Sequence, residues 1–213
     1  MKNIMLIGDS IRMGYDKYVQ NRLRSSANVY FPEENCRFSL YILRHFPDWH
    51  KQSGFGKDVD LVHWNAGLWD VLREFGDDIF MPLEWYGEAI ERCYKRIKHL
   101  CPNAKQIFAT STRVIEELFD PEYFIRFNKD IEAYNAEAIR RLSKYDDVTV
   151  NDLYAATKNA PDSCYSDMTH FYTPEGIKLT GDCVCKAISE VLGIKPEEET
   201  EFDSSVNTAE VGH

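Results

Sequence analysis

Short apolar runs alternate along the chain with longer stretches whose apolar residues recur every three or four positions. The runs at residues 3–7, 28–31, 60–64, 106–110 and 148–150 predict strands, and the stretches at 11–24, 38–46, 85–100, 123–143 and 174–192 predict helices. Within 123–143, Phe127, Ile131, Tyr134, Ala138 and Leu142 fall on one face, as in a helix laid over a sheet. The last helix has explicit ends: Thr173 as N-cap, Pro174 at the first helical position, Glu175 in the first turn and Gly193 just past the end. Alternation of this kind predicts an α/β fold with a doubly wound parallel sheet of about five strands. Such sheets bind ligands beyond the carboxyl ends of their strands. That rule directs attention to Gly8–Ser10, to residues 65–70 and to loops near the C-terminus.

A chain of 213 residues supports one well-buried core rather than two domains, and a hydrophobic content of 44% fits a globular body. The formal net charge of −10 is uneven. After Lys195 come Glu197, Glu198, Glu199, Glu201, Asp203 and Glu210 with no further Lys or Arg, so we expect a domain over residues 1–194 and a flexible acidic tail over 195–213. The lack of a Lys/Arg stripe argues against nucleic acid or an anionic membrane as partner. The first apolar run, Ile4 to Ile7, is far too short for a signal peptide, and no later stretch approaches a membrane span, which predicts a cytoplasmic protein. The six cysteines form no Cys-x-x-Cys pair and read as reduced structural thiols. Asp58 and Asp60 lack the further ligands a metal needs. His45, His50, His63 and His99 have no partner spacing and read as structural or surface residues. No metal or cofactor is expected, and the oligomeric state is left open.

Two segments carry candidate chemistry. Gly8-Asp9-Ser10-Ile11 sits where a buried strand turns into a helix, so a Ser10 hydroxyl would lie beside free backbone N–H groups and the positive end of a helix dipole. Alone, the segment reads more readily as a plain N-cap than as a nucleophile. Ser166-Asp167-Met168-Thr169-His170-Phe171 precedes the capped last helix and offers an imidazole with a carboxylate three residues away. A serine nucleophile needs such a base, and the base needs an acceptor that fixes its tautomer. Alone, this loop reads equally as an Asx turn. Together the two segments supply nucleophile, base and orienting acid.

Gly8-Asp9-Ser10 near one end and Asp167-x-x-His170 near the other resemble the SGNH, or GDSL-like, hydrolase superfamily in order and spacing. The resemblance implies a flavodoxin-like sheet flanked by helices, with Ser10 as nucleophile, His170 as base and Asp167 as orienter. It also implies an oxyanion hole made from the serine N–H, a glycine N–H and an asparagine side chain. The chain departs from that pattern twice. Glu34-Asn35-Cys36-Arg37-Phe38-Ser39 contains no glycine, and Cys36 is expected to donate its backbone N–H instead. In Asn65-Ala66-Gly67-Leu68-Trp69-Asp70, Trp69 stands where the asparagine is expected, so the amide role is assigned to Asn65.

The expected activity is hydrolysis of a small acyl ester through an acyl-enzyme: the absence of a long apolar lid segment points to a short acyl chain such as acetyl, and the aromatic residues tilt the choice slightly to an O-acetylated sugar. An O-acyltransferase and an inactive carbohydrate-binding module on the same scaffold remain open alternatives. Arg12 and Arg37 are expected to hold substrate carboxylate or hydroxyl groups. Trp64, Trp69, Trp85, Tyr15 and Tyr86 are candidates for an aromatic wall, with at least two of them serving as core.

Overall fold

The computed structural model describes residues 1–198. In chain order the elements are β1 (Lys2–Ile7), α1 (Ser10–Leu23), β2 (Ala27–Tyr30), α2 (Ser39–Ser53), β3 (Leu61–Trp64), β4 (Arg73–Glu74), α3 (Leu83–Leu100), β5 (Lys105–Ala109), β6 (Phe124–Ile125), α4 (Asn128–Leu142), β7 (Val148–Asn151), α5 (Leu153–Thr157) and α6 (Pro174–Leu192). Five strands form a parallel sheet in the order β2-β1-β3-β5-β7. Counting only these strands, the order is 2-1-3-4-5, the flavodoxin-like arrangement, whose switch point lies between β1 and β3.

The inner strands are apolar because both of their faces are covered. Ile4, Met5, Leu6 and Ile7 of β1 are fully buried, as are Leu61, Val62 and Trp64 of β3. Helices α1 and α6 pack against each other, while α3 packs against both α2 and α4. Among the described residues no helix is long and apolar enough to cross a membrane. All six cysteines are free thiols, five of them buried.

The five predicted strands and the start of α6 appear close to their expected positions. Helix α2 does not stop before Pro47 but runs on to Ser53. Proline removes the N–H that would bond the carbonyl four residues back. Here that carbonyl, on Leu43, accepts a hydrogen bond from the Arg96 guanidinium of α3 at 3.1 Å, so the helix passes the proline with its acceptor satisfied.

The predicted helix over 123–143 begins only at Asn128. Its expected first turn instead forms β6, which pairs antiparallel with β4, Arg73 opposite Ile125 and Glu74 opposite Phe124. An ion pair of 2.6 Å between Arg73 and Asp130 ties this ribbon to the first turn of α4.

Past Lys195 the chain still makes contacts with α1. The Glu197 backbone exchanges hydrogen bonds of 2.7 and 2.8 Å with the Arg22 carbonyl and guanidinium, and the Glu197 carboxylate pairs with Arg24. The chain therefore stays attached to the end of α1 through that residue. Residues 199–213 of the expected acidic tail lie outside the described residues.

Candidate active site

Ser10 is the first residue of α1, directly beyond β1 at the switch point of the sheet. Asp9 caps the helix, its Oδ1 accepting the Ile11 N–H at 3.0 Å, which leaves the Ser10 side chain free for another partner. That partner is His170. Its Nε2 lies 2.8 Å from the Ser10 Oγ, and its Nδ1 lies 2.7 Å from the Asp167 Oδ2. The other Asp167 oxygen accepts the backbone N–H groups of Thr169 at 2.7 Å and His170 at 2.9 Å. Burial alone would raise the Asp167 pKa, but the His170 hydrogen bond and charge, with the two backbone donors, bring it down to about 2. Asp167 is thus a fixed anion.

The loop carrying this pair is held from several sides. The Ser166 N–H donates to the His170 carbonyl at 2.8 Å, and the Ile115 N–H donates to the Met168 carbonyl at the same distance. Thr173 caps α6, its hydroxyl accepting the Gly176 N–H at 3.1 Å. At Gly176 a Cβ would stand 2.1 Å from the Cys164 carbonyl oxygen, so only glycine allows the turn at 162–164 to seat on the helix start. The Tyr172 hydroxyl donates to the Ser10 carbonyl at 2.7 Å, and its ring stacks on His170 at 4.8 Å between centroids.

Ser10 and His170 open into a cavity of about 330 Å³, whose wall includes Trp69, Leu72, Phe124 and Met168. Asn35 and Arg126 also line it. Of the five candidate wall aromatics only Trp69 is there: Tyr15, Trp64 and Tyr86 are fully buried in the core, and Trp85 is 66% exposed.

The expected oxyanion donors are arranged differently from the sequence reading. The Cys36 N–H is not free, because it donates to the Gly8 carbonyl at 3.1 Å. Burial pushes the Cys36 thiol up to about 11, which leaves it a packing group. Asn65 is buried against the Gly8–Ser10 turn, where its Oδ1 would lie 1.9 Å from a Cβ at Gly8, and it is not among the cavity's lining residues. It also faces Asp9, whose pKa is raised by burial although the Asn65 amide and the Ile11 N–H act to lower it.

Asn35, two positions before Arg37, is the amide that reaches the cavity. Its Oδ1 accepts the Arg37 N–H at 2.8 Å, which fixes the orientation of the side chain and leaves a buried Nδ2 with no acceptor among the described residues. Arg37 itself has φ 51, a left-handed backbone conformation, in the segment where the glycine is missing. The Ser10 N–H likewise has no backbone acceptor among the described residues.

Two further expectations are corrected. Arg12 is only 1% exposed and cannot hold substrate: its guanidinium is occupied by Asp16 at 2.6 Å and by the carbonyls of Pro32 at 2.9 Å, Glu34 at 2.6 Å and Gly8 at 3.4 Å. It clamps the segment after β2 to α1. Arg37 lies at the exposed surface over the Tyr41 ring, at 5.2 Å, and is not among the cavity-lining residues. Sequence reasoning missed Asn35, Arg126 and Tyr172. A polar side chain two residues after Asp167-x-x-His170 was a visible signal for Tyr172, whereas Arg126 was hidden inside an assumed helix.

Asp70 completes the framework. It is fully buried after Gly67, whose φ of 149 and close contact with the Ser111 hydroxyl exclude a side chain. The Asp70 carboxylate accepts the Ser39 N–H at 3.2 Å and its hydroxyl at 2.5 Å, which anchors the start of α2. Burial nevertheless raises its pKa to about 7.

No protein-family model and no curated protein matches this sequence. Solved structures do match. A lipase/acylhydrolase from Enterococcus faecalis is 20% identical, with 93% of this chain and 100% of that one covered at a TM-score of 0.71. A GDSL-like lipase from Bacteroides thetaiotaomicron is 18% identical, covering 90% of this chain and 89% of that one at a TM-score of 0.69. The acetyl xylan esterase AlAXEase is 16% identical, covering 87% of this chain and 99% of that one at a TM-score of 0.67. With its five-stranded parallel sheet flanked by helices and its match to these structures over 87% to 93% of its length, the chain has the fold of the SGNH, GDSL-like hydrolases.

Proposed function

We propose that this protein is a serine-dependent hydrolase of small acyl esters, acting through a covalent acyl-enzyme, with an acetyl group on a carbohydrate as the leading substrate class. The observation that carries this reading is the unbroken relay from Ser10 through His170 to Asp167, with bonds of 2.8 and 2.7 Å, opening into a small cavity.

As Ser10 attacks the ester carbonyl, the His170 Nε2 takes the hydroxyl proton, and Asp167 holds the ring and balances the imidazolium. His170 then returns the proton to the departing alcohol. A water deprotonated by the same nitrogen releases the acid and restores Ser10. The oxyanion is met by the Ser10 N–H and by a side-chain amide, for which Asn35 and Asn65 are the two candidates. Asn35 is favoured because it lines the cavity and keeps an unpaired N–H donor.

A cavity of about 330 Å³ lies at the small end for ligand sites, which favours a short acyl chain. The likeness to an acetyl xylan esterase agrees with an acetyl group on a sugar. The reading is tested by p-nitrophenyl acetate hydrolysis, which should occur with the wild type in the absence of any acceptor alcohol and be almost abolished in Ser10→Ala. Turnover near wild type in that variant would overturn it.

A further inference from the structure

The two buried arginines of this protein differ in how they are satisfied. Every nitrogen of the Arg12 guanidinium has an acceptor. Arg126 is 7% exposed, yet its one hydrogen bond is from Nε to the Leu68 carbonyl, at 2.6 Å. Its two terminal nitrogens have no acceptor and no carboxylate within 4.0 Å among the described residues. The guanidinium sits 5.8 Å from the Phe124 ring and lines the same cavity as Ser10 and His170. Burial lowers its pKa to about 10, against the longer-range attraction of Asp9, Glu74 and Asp167, so it stays charged at neutral pH.

The two terminal nitrogens are not among the fully shielded unpaired atoms, so they open to the cavity, where a ligand that excludes water would have to supply their acceptors. A planar guanidinium with two free terminal N–H groups side by side matches a carboxylate, which it can bind through two parallel hydrogen bonds. A phosphoryl dianion fits less well, because among the described residues Arg126 is the one Lys or Arg lining the cavity while Glu74 and Asp167 share its wall. The ribbon of β4 and β6 that carries Glu74 and Phe124 ends directly before Arg126, so the cation is held at a fixed place relative to Ser10.

We propose that Arg126 selects substrates bearing a carboxylate close to the scissile ester, such as an O-acetylated uronic acid. This rests on the esterase reading above, and its test therefore includes a binding arm that needs no turnover. The kinetic arm compares kcat/KM for mono-O-acetylated glucuronic acid and for its methyl ester, which removes the charge. The wild type should prefer the free acid by about tenfold or more, chiefly through KM, as expected for a charged hydrogen bond. Arg126→Gln should bring the ratio of the two substrates to about one, and Arg126→Lys should restore part of it. The binding arm measures glucuronate and its methyl ester by calorimetry on Ser10→Ala, with and without Arg126→Gln. Preference for glucuronate that disappears with Arg126→Gln supports the proposal even if neither acetylated sugar is hydrolysed. Equal binding of both sugars to Ser10→Ala, or a loss of kcat/KM in Arg126→Gln by the same factor for both substrates, would overturn it.

Discussion

The Tyr172 hydroxyl donates to the backbone carbonyl of Ser10 at 2.7 Å while the Tyr172 ring stacks on His170, so one side chain braces the Ser10 turn and the His170 ring together. The contact joins α1 to the loop before α6 across a separation of 162 residues. Removal of the hydroxyl in Tyr172→Phe keeps the stack and deletes the brace. A hydrogen bond of this kind contributes roughly 0.5–1.5 kcal/mol, so kcat should fall by about two- to tenfold with little change in KM. Unchanged steady-state kinetics in Tyr172→Phe would remove the tyrosine from the positioning of the site.

The two asparagines near Ser10 make opposite predictions. If Asn35 supplies the side-chain donor to the oxyanion, Asn35→Ala should lower kcat by about a hundredfold, because such a bond strengthens in the transition state. Asn65, wedged against Gly8 and Asp9, should then act mainly through stability, with Asn65→Ala lowering the melting temperature more than kcat. Kinetics and thermal melts of both variants decide between them. A hundredfold loss of kcat in Asn65→Ala alone, in a folded protein, would return the role to Asn65.

Asp70 gives a pH signature of its own. Its carboxyl has an ordinary pKa of 3.8, raised to about 7 by burial in the fold. Between those values the folded state binds more protons at this site than the unfolded chain does. The stability from neutral Asp70 is therefore full below the ordinary pKa and is lost as pH rises through about 7. Asp70→Asn keeps an acceptor for Ser39 but cannot ionise. Denaturant midpoints should show the variant gaining on the wild type as pH rises from 4 to 8, as the linkage requires for a raised carboxyl pKa. A constant difference between the two proteins across that range would contradict the assignment.

The parallel sheet was legible because its inner strands are buried on both faces and read as short apolar runs between amphipathic stretches. Ser10, Asp167 and His170 were legible because two local segments each lacked what the other supplied. What stayed hidden depended on contacts between distant residues. Pro47 reads as a helix end until Arg96 of another helix is seen to satisfy the Leu43 carbonyl. Arg126 reads as a helix residue because the apolar period of α4 extends back to Phe127, although the chain before Asn128 pairs with β4. Arg12 reads as a substrate ligand because nothing local shows the carbonyls of Pro32 and Glu34 closing on it. Cys36 reads as a free donor for the same reason, since its acceptor is the Gly8 carbonyl across the turn.

Ser10 as nucleophile with His170 as its base makes Ser10 the residue an electrophilic serine reagent should label. The most direct measurement is intact-mass and peptide mass spectrometry after exposure to a fluorophosphonate, which phosphonylates an activated serine with loss of fluoride. The relay of 2.8 and 2.7 Å predicts one adduct per chain, on the peptide containing Ser10. The adduct should be absent in Ser10→Ala and formed far more slowly in His170→Ala, which has lost the base. Phosphonylation at another residue, or ester turnover that persists in a protein whose Ser10 is blocked, would contradict the account.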